Sequence, residues 1–119
     1  MSLTAAVALG AALGAPSRYL LDGAVRRWCG TRLPWGTLAV NLLGSAAAGL
    51  VAGLRPGALW VSLLAVGFLG AFTTASTLAW ELVELTQRGA LRSAGLLLVL
   101  HLLPGLALAG VGLAAGLAL

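Results

Sequence analysis

The chain has 119 residues, of which 61% are hydrophobic and 8% charged, with a mean hydropathy of +1.05 and a formal net charge of +4. So little polar surface cannot cover a water-soluble globule, so composition excludes a soluble domain and points to an integral membrane protein solvated by lipid. The pI near 11.3 does not signal a nucleic-acid partner: the arginines sit mainly at helix ends and short turns, where they meet lipid phosphates.

Four apolar runs, residues 3–25, 36–54, 58–80 and 93–118, are each close to the ~20 residues that a spanning helix requires. They predict an all-α fold, one four-helix membrane domain over 1–119 with helices at about 3–27, 36–54, 58–86 and 93–118. Segments of alternating polarity are absent, which argues against a β-barrel. Helix 1 follows Met1-Ser2-Leu3-Thr4, with no basic region of the kind that precedes a cleaved signal, so it is expected to be retained. It carries Arg18, and a centrally placed arginine costs ~2.5 to 3.5 kcal/mol on insertion scales, so this side chain must snorkel, pair or face water. The first connection, Arg26 to Trp35, reads as a helix end, a turn and a Pro34-initiated start, with tryptophans at interfacial depth. Its Cys29 has no partner for a disulfide or a metal site.

Helix 2 holds Asn41 about one turn inside, where an amide with donors and an acceptor serves either as glue between helices or as a donor to an anion. The second connection is only Arg55-Pro56-Gly57. In helix 3 the run from Gly67 to Leu78 contains Thr73, Thr74, Ser76 and Thr77. An unbroken helix would gather Thr73, Ser76 and Thr77 on one face and turn Thr74 away. Gly67 and Gly70 weaken the helix just before, however, and hydroxyls compete for backbone hydrogen bonds, so an interruption near Gly70–Thr74 is also expected. Such a break frees carbonyls for a cation and amides for an anion. Glu81 and Glu84, one turn apart, are placed to pair with Arg88 and Arg92 before a break at Gly89. Helix 4 is apolar but for His101, which lacks a second ligand at metal spacing and is either a hydrogen-bonded helix contact or a pore-facing group. Small-residue spacings at Gly10/Gly14, Gly49/Gly53 and Gly112/Gly116 permit close helix approach, within the chain or between chains. No P-loop, dinucleotide fingerprint, triad or paired catalytic carboxylates are present, so the chain is not read as an enzyme.

Three motifs in order carry a family resemblance: Gly10-x-x-x-Gly14-x-x-x-Arg18-Tyr19; Gly36-Thr37-Leu38-x-Val40-Asn41-x-x-Gly44-Ser45; and Gly67-Phe68-x-Gly70-x-Phe72-Thr73-Thr74-x-Ser76-Thr77, followed by Glu81. The chain resembles the CrcB/Fluc family of fluoride channels. That resemblance implies a fluoride-selective passive channel in the inner (cytoplasmic) membrane, relieving fluoride toxicity and built as an antiparallel, dual-topology dimer. It also implies a sodium ion held by backbone carbonyls of Gly70 and Thr73 from both subunits. Asn41, Ser76 and Thr77 would line the fluoride pathway and Arg18 its vestibule, with His101 a further candidate from its place in helix 4. A small, strongly hydrated anion suits hydroxyl, amide and aromatic-edge donors. The family pattern, however, usually has phenylalanine where this chain has Ala75 and Leu78.

Arginines in connections 1 and 3 (Arg26, Arg27, Arg32, Arg88, Arg92) stand against Arg55 alone in connection 2, which places connections 1 and 3 in the cytoplasm and both termini outside. This bias and the missing phenylalanines raise an alternative, one subunit of a pair of non-identical, oppositely oriented chains; a plain homodimeric channel with an altered lining stands equally beside it, since Ala75 and Leu78 need not block a pore. A small multidrug transporter is disfavoured because Arg18 occupies helix 1 where an acidic residue is needed; a non-transporting structural subunit stays open. A reporter fused to the C-terminus should signal from the outer side alone, and equal signal from both sides would remove the arginine-based orientation.

Overall fold

The computed structural model describes residues Met1–Leu119, and its secondary structure is entirely helical. Helix α1, Leu3–Cys29, starts at Ser2, whose hydroxyl accepts the Ala5 N–H at 3.1 Å. It ends at Gly30, which adopts φ 80°, with Arg26 and Arg27 in the last turn, where cations complement the carbonyl end. Helix α2, Trp35–Leu54, follows Pro34 and ends at Arg55, a non-glycine residue in the left-handed region at φ 49°.

The next rod is discontinuous. Helix α3, residues 58–72, opens with the turn Ala58–Trp60, widens into a π-helical stretch over Val61–Leu69 and closes with Gly70–Phe72. Thr73 and Thr74 are extended, at φ/ψ −82°/160° and −149°/116°. Helix α4 then runs Ala75–Gln87, and Gly89 at φ 74° turns the chain into α5, Leu91–Ala118. The sequence allows either an unbroken face of hydroxyls or an interruption, and the structure has the interruption.

Three stretches, Trp35–Leu54, Ala58–Gln87 and Leu91–Ala118, are long and apolar enough to cross a membrane. The molecule is 48 Å along its longest axis, matching the ~40 to 45 Å of a bilayer with its headgroups. Large apolar side chains point outward, Leu106 at 76% exposure for example, as expected where lipid and not water is the solvent.

With lipid outside, helices gain little by hiding leucine from their surroundings, and tight backbone approach replaces a thick apolar core. Two seams show this. In the α2–α5 seam Gly49 and Gly53 meet Gly112 and Gly116; a methyl on Gly53 would lie 2.8 Å from Gly116 Cα, and one on Gly112 would fall 2.9 Å from Leu50 N. In the α1–α3 seam Gly10 and Gly14 lie against the backbone of the π-helical stretch, with Gly10 facing Gly67. All three glycine pairs therefore have partners inside the chain. The larger buried apolar residues are few, Val40, Leu97 and Phe72 among them.

Gly112→Ala should lower the melting temperature in detergent, since overpacking of this kind costs about 1–3 kcal/mol. Gly110→Ala, whose methyl meets nothing within 4 Å, should leave it unchanged or raise it slightly.

Candidate functional site

Two consecutive extended residues carry the chain out of helical register, so the carbonyls at the end of α3 lose their i+4 amides and the first amides of α4 have no carbonyl behind them. In hydrocarbon each such group costs several kcal/mol if left alone. The structure satisfies the central ones with side chains from two other helices and from the break itself. Asn41 of α2 lies alongside Thr74 and makes a reciprocal pair: the Thr74 N–H donates to Asn41 Oδ1 at 2.8 Å and Asn41 Nδ2 donates to the Thr74 carbonyl at 3.0 Å. The amide side chain thus stands where a neighbouring strand would be. Arg18 of α1 donates from Nη1 to the Thr73 carbonyl at 3.3 Å, placing a cation at the negative end of α3.

The hydroxyls divide the remaining work. Thr73 Oγ1 turns back to donate to the Leu69 carbonyl at 3.0 Å. Thr74 caps α4, its Oγ1 accepting the Thr77 N–H at 3.2 Å while donating to Thr77 Oγ1 at 2.9 Å, with Ser76 Oγ at 3.3 Å. Thr74 is therefore the centre of the cluster, and Thr73 is directed away from it; the one-face grouping of Thr73, Ser76 and Thr77 belongs to an unbroken helix and does not form. The sequence carried a signal for this in Thr74-x-x-Thr77, a hydroxyl three residues before another at a helix start.

Cavities meet at this junction. An open groove of about 430 Å³ between α2 and α3 is lined by Asn41, Ser45, Gly70, Thr73, Ala75 and Leu78. A second cavity, of about 200 Å³, is bounded by Arg18, Tyr19, Asp22, Thr37, Thr74 and Thr77. Thr74 lines both. Ala75 and Ser76 are exposed at the first turn of α4, and no ring stands at Ala75 or Leu78. The two phenylalanines of α3, Phe68 and Phe72, stack on each other with centroids 5.6 Å apart, and Phe72 is buried.

Two sequence-derived candidates lie elsewhere. His101 Nδ1 donates to the Leu97 carbonyl at 2.9 Å within α5, and its Nε2 is buried without a partner. Glu84 pairs with Arg88 at 2.6 Å. Glu81 does not join the arginines. It is buried against α2, where Thr37 Oγ1 donates to its Oε1 at 2.5 Å. Sequence reasoning had no means of finding that 44-residue link, because neither residue's helical neighbours reveal which helix lies across from it.

An all-helical, multi-pass membrane protein with a discontinuous span, whose break is held by a side-chain amide and a guanidinium, belongs structurally with proteins that build ion sites from interrupted helices. Comparison with known proteins is more specific. The family model described as CrcB-like protein, Camphor Resistance (CrcB), matches residues 5–113, and the chain belongs to this family. Among similar proteins is one from Rhodospirillum centenum, named fluoride-specific ion channel FluC, 40% identical over 124 aligned positions covering 100% of this chain and 95% of that one. Proteins of the same name from Magnetococcus marinus (51% identical, covering 70% of this chain and 72% of that one) and Roseiflexus sp. (44% identical, 95% and 94%) also match.

Replacing Asn41 with alanine leaves both the backbone N–H and the backbone carbonyl of Thr74 without that partner, a loss on the order of 2–6 kcal/mol at ~1–3 kcal/mol per buried group. Thermal unfolding in detergent should show a larger drop for Asn41→Ala than for Ser45→Ala, whose hydroxyl only returns to its own helix at the Asn41 carbonyl.

Proposed function

We propose that this chain is a fluoride-selective passive channel that lets fluoride leave the cell across the cytoplasmic membrane and so relieves its toxicity; the process is permeation and involves no catalysis. The observation that carries the reading is the Thr73–Thr74 break paired with Asn41, in a chain whose full length aligns with proteins named fluoride-specific ion channels. Fluoride is small and holds its water tightly, so a path must replace that water with several weak donors and avoid one strong cation that would trap it. The exposed first turn of α4, with the Ser76 hydroxyl and unpaired amides at its positive end, offers such donors beside Thr77 and the remaining Asn41 N–H. Arg18 stands one shell back, its guanidinium on the Thr73 carbonyl, a place from which it can attract an anion without blocking the path. His101 takes part, on this reading, from helix α5.

In the same reading α1 crosses the membrane too, giving four spans, and two chains associate in antiparallel fashion. The supporting feature is the open groove at the break, in which Gly70 is exposed and faced by no other element. Carbonyl oxygens are hard donors that suit a sodium ion. The Gly70 carbonyl, at the end of α3 with its i+4 amide diverted to Asn41, fits that role; the Thr73 carbonyl already accepts Arg18 and has one lone pair left. Two carbonyls from one chain do not complete a coordination shell, so the ion would need the matching pair from a second chain. A second chain of different sequence is favoured by one observation, the absence of any ring at Ala75 and Leu78 along the groove.

Liposomes loaded with fluoride and read by a fluoride electrode test the assignment. The wild type should release fluoride and retain chloride, and Asn41→Ala should slow release about ten-fold or more, the effect of removing one well-placed donor. Ala75→Phe should raise the rate if the chain acts with its own copy. An absence of fluoride release from the chain alone, restored by a co-expressed homologue, would establish the mixed pair; release of neither halide under both conditions would remove the channel reading.

A further inference from the structure

Arg18, Asp22 and Arg26 recur at intervals of four residues and so share one face of α1, a cation, an anion and a second cation in successive turns. Arg26 Nε donates to Asp22 Oδ1 at 3.0 Å, whereas Arg18 donates to the Thr73 carbonyl and forms no ion pair. The start of α2 fixes Asp22 as well. A methyl on Gly36 would fall 2.9 Å from Asp22 Cγ and closer still to Oδ1, so the carboxylate occupies the space that a side chain at position 36 would take. Arg26 is the hydrogen-bond partner of Asp22, so holding the Thr73–Thr74 break is not the work of this carboxylate.

Asp22 and Arg18 are the two charged residues around the cavity of about 200 Å³ that reaches Thr74, and Arg26 does not line it. Arg26 instead shares with Asp22 an open pocket of about 490 Å³. Asp22 thus borders both spaces, with its counter-ion in only one of them. Within the smaller cavity, Arg18 keeps N–H groups beyond the one given to Thr73, and the Thr77 hydroxyl, which accepts from Thr74, keeps its own proton to donate. Those donors suit an anion, and an unopposed guanidinium among them would hold it too firmly to pass it on. We infer, resting on the proposed fluoride permeation, that Asp22 is the counter-charge that limits how tightly this cavity holds the conducted anion and so speeds its exit. A carboxylate one turn from Arg18, with Cβ atoms about 5–6 Å apart, lowers the positive potential without removing a donor. Arg26 in turn tempers the carboxylate, so the anion is still admitted.

Fluoride titrations followed by the melting temperature of the purified full chain in detergent, beside fluoride release from liposomes, test the role of Asp22. Asp22→Asn should lower the half-saturating fluoride concentration about ten-fold in both measurements, the size expected of one partly neutralised charge at this range. It should also lower the maximal release rate, because the anion leaves more slowly. Arg26→Gln, which leaves Asp22 unopposed, should raise the half-saturating concentration several-fold. The double variant of Asp22→Asn with Arg26→Gln should keep the lowered value; a return to the wild-type value would assign the effect to a freed Arg26 and overturn the proposal. So would an unchanged or raised value in Asp22→Asn, an unchanged or lowered value in Arg26→Gln, or the absence of any fluoride-dependent melting shift. Wild-type liposomes that release no fluoride, with the melting titration still tightened by Asp22→Asn, would remove the channel reading and leave Asp22 as the counter-charge of an anion site. Melting temperatures without fluoride show that each variant folds.

Discussion

A peptide group inside a bilayer has no water to fall back on, and the pairing of Asn41 with the Thr74 peptide is what permits this fold to interrupt a membrane helix at its centre. Without a side chain that both donates and accepts at that height, two extended residues would be too costly and the third rod would close up into a continuous helix. Asparagine suits the place because its amide reproduces a backbone peptide's donor and acceptor side by side. Once Thr74 is held, the rest follows from local rules. Its hydroxyl is free to cap α4, its neighbour Thr73 returns to Leu69, and the Thr73 carbonyl points to Arg18. A guanidinium in the middle of an apolar helix and an extended dipeptide in the middle of another are each unfavourable alone, and here each answers the other's need.

The elements that surround this site were legible from the sequence to different degrees. Composition and run length reveal the membrane and the apolar helices because those depend on summed hydropathy, which needs no knowledge of what touches what. Family membership was legible through the three motifs around Arg18, Asn41 and the Thr73–Thr77 stretch, and the match over residues 5–113 bears it out. The partners of individual polar groups were not. Glu81 and Glu84 look alike along the chain, yet Glu84 takes the solvated i+4 arginine and Glu81 is buried under Thr37. The difference comes from which side of α4 faces α2, a tertiary fact that a lone sequence does not hold. Thr74 was only partly legible: Thr74-x-x-Thr77 offers a helix start, but an ideal unbroken helix turns Thr74 away, and only the break makes it the hub.

The glycines illustrate a second kind of ambiguity. Spacings of four residues allow close approach but do not say to what, and here all of the paired glycines are used inside the chain. The groove at the break is of another character, with small side chains, hydroxyls and an exposed Gly70. The close-packed glycines and the side chains that hold the break thus occupy different stretches of α2. The glycines at positions 49 and 53 of α2 meet α5, while Asn41 and Thr37, nearer the start of α2, reach Thr74 of the break and Glu81 of α4.

This division has a mechanical outcome. Helices α2 and α5 touch backbone to backbone and behave as a single stiff stave, with no side-chain layer to cushion a slide or a twist. Helix α4 is linked to that stave by the Thr37–Glu81 hydrogen bond and by packing on α5, and is joined to α3 by an extended dipeptide instead of a helical turn. Amide exchange at the foot of α4 is accordingly the first to quicken when the fold loosens, while the glycine-lined stave is the last to open.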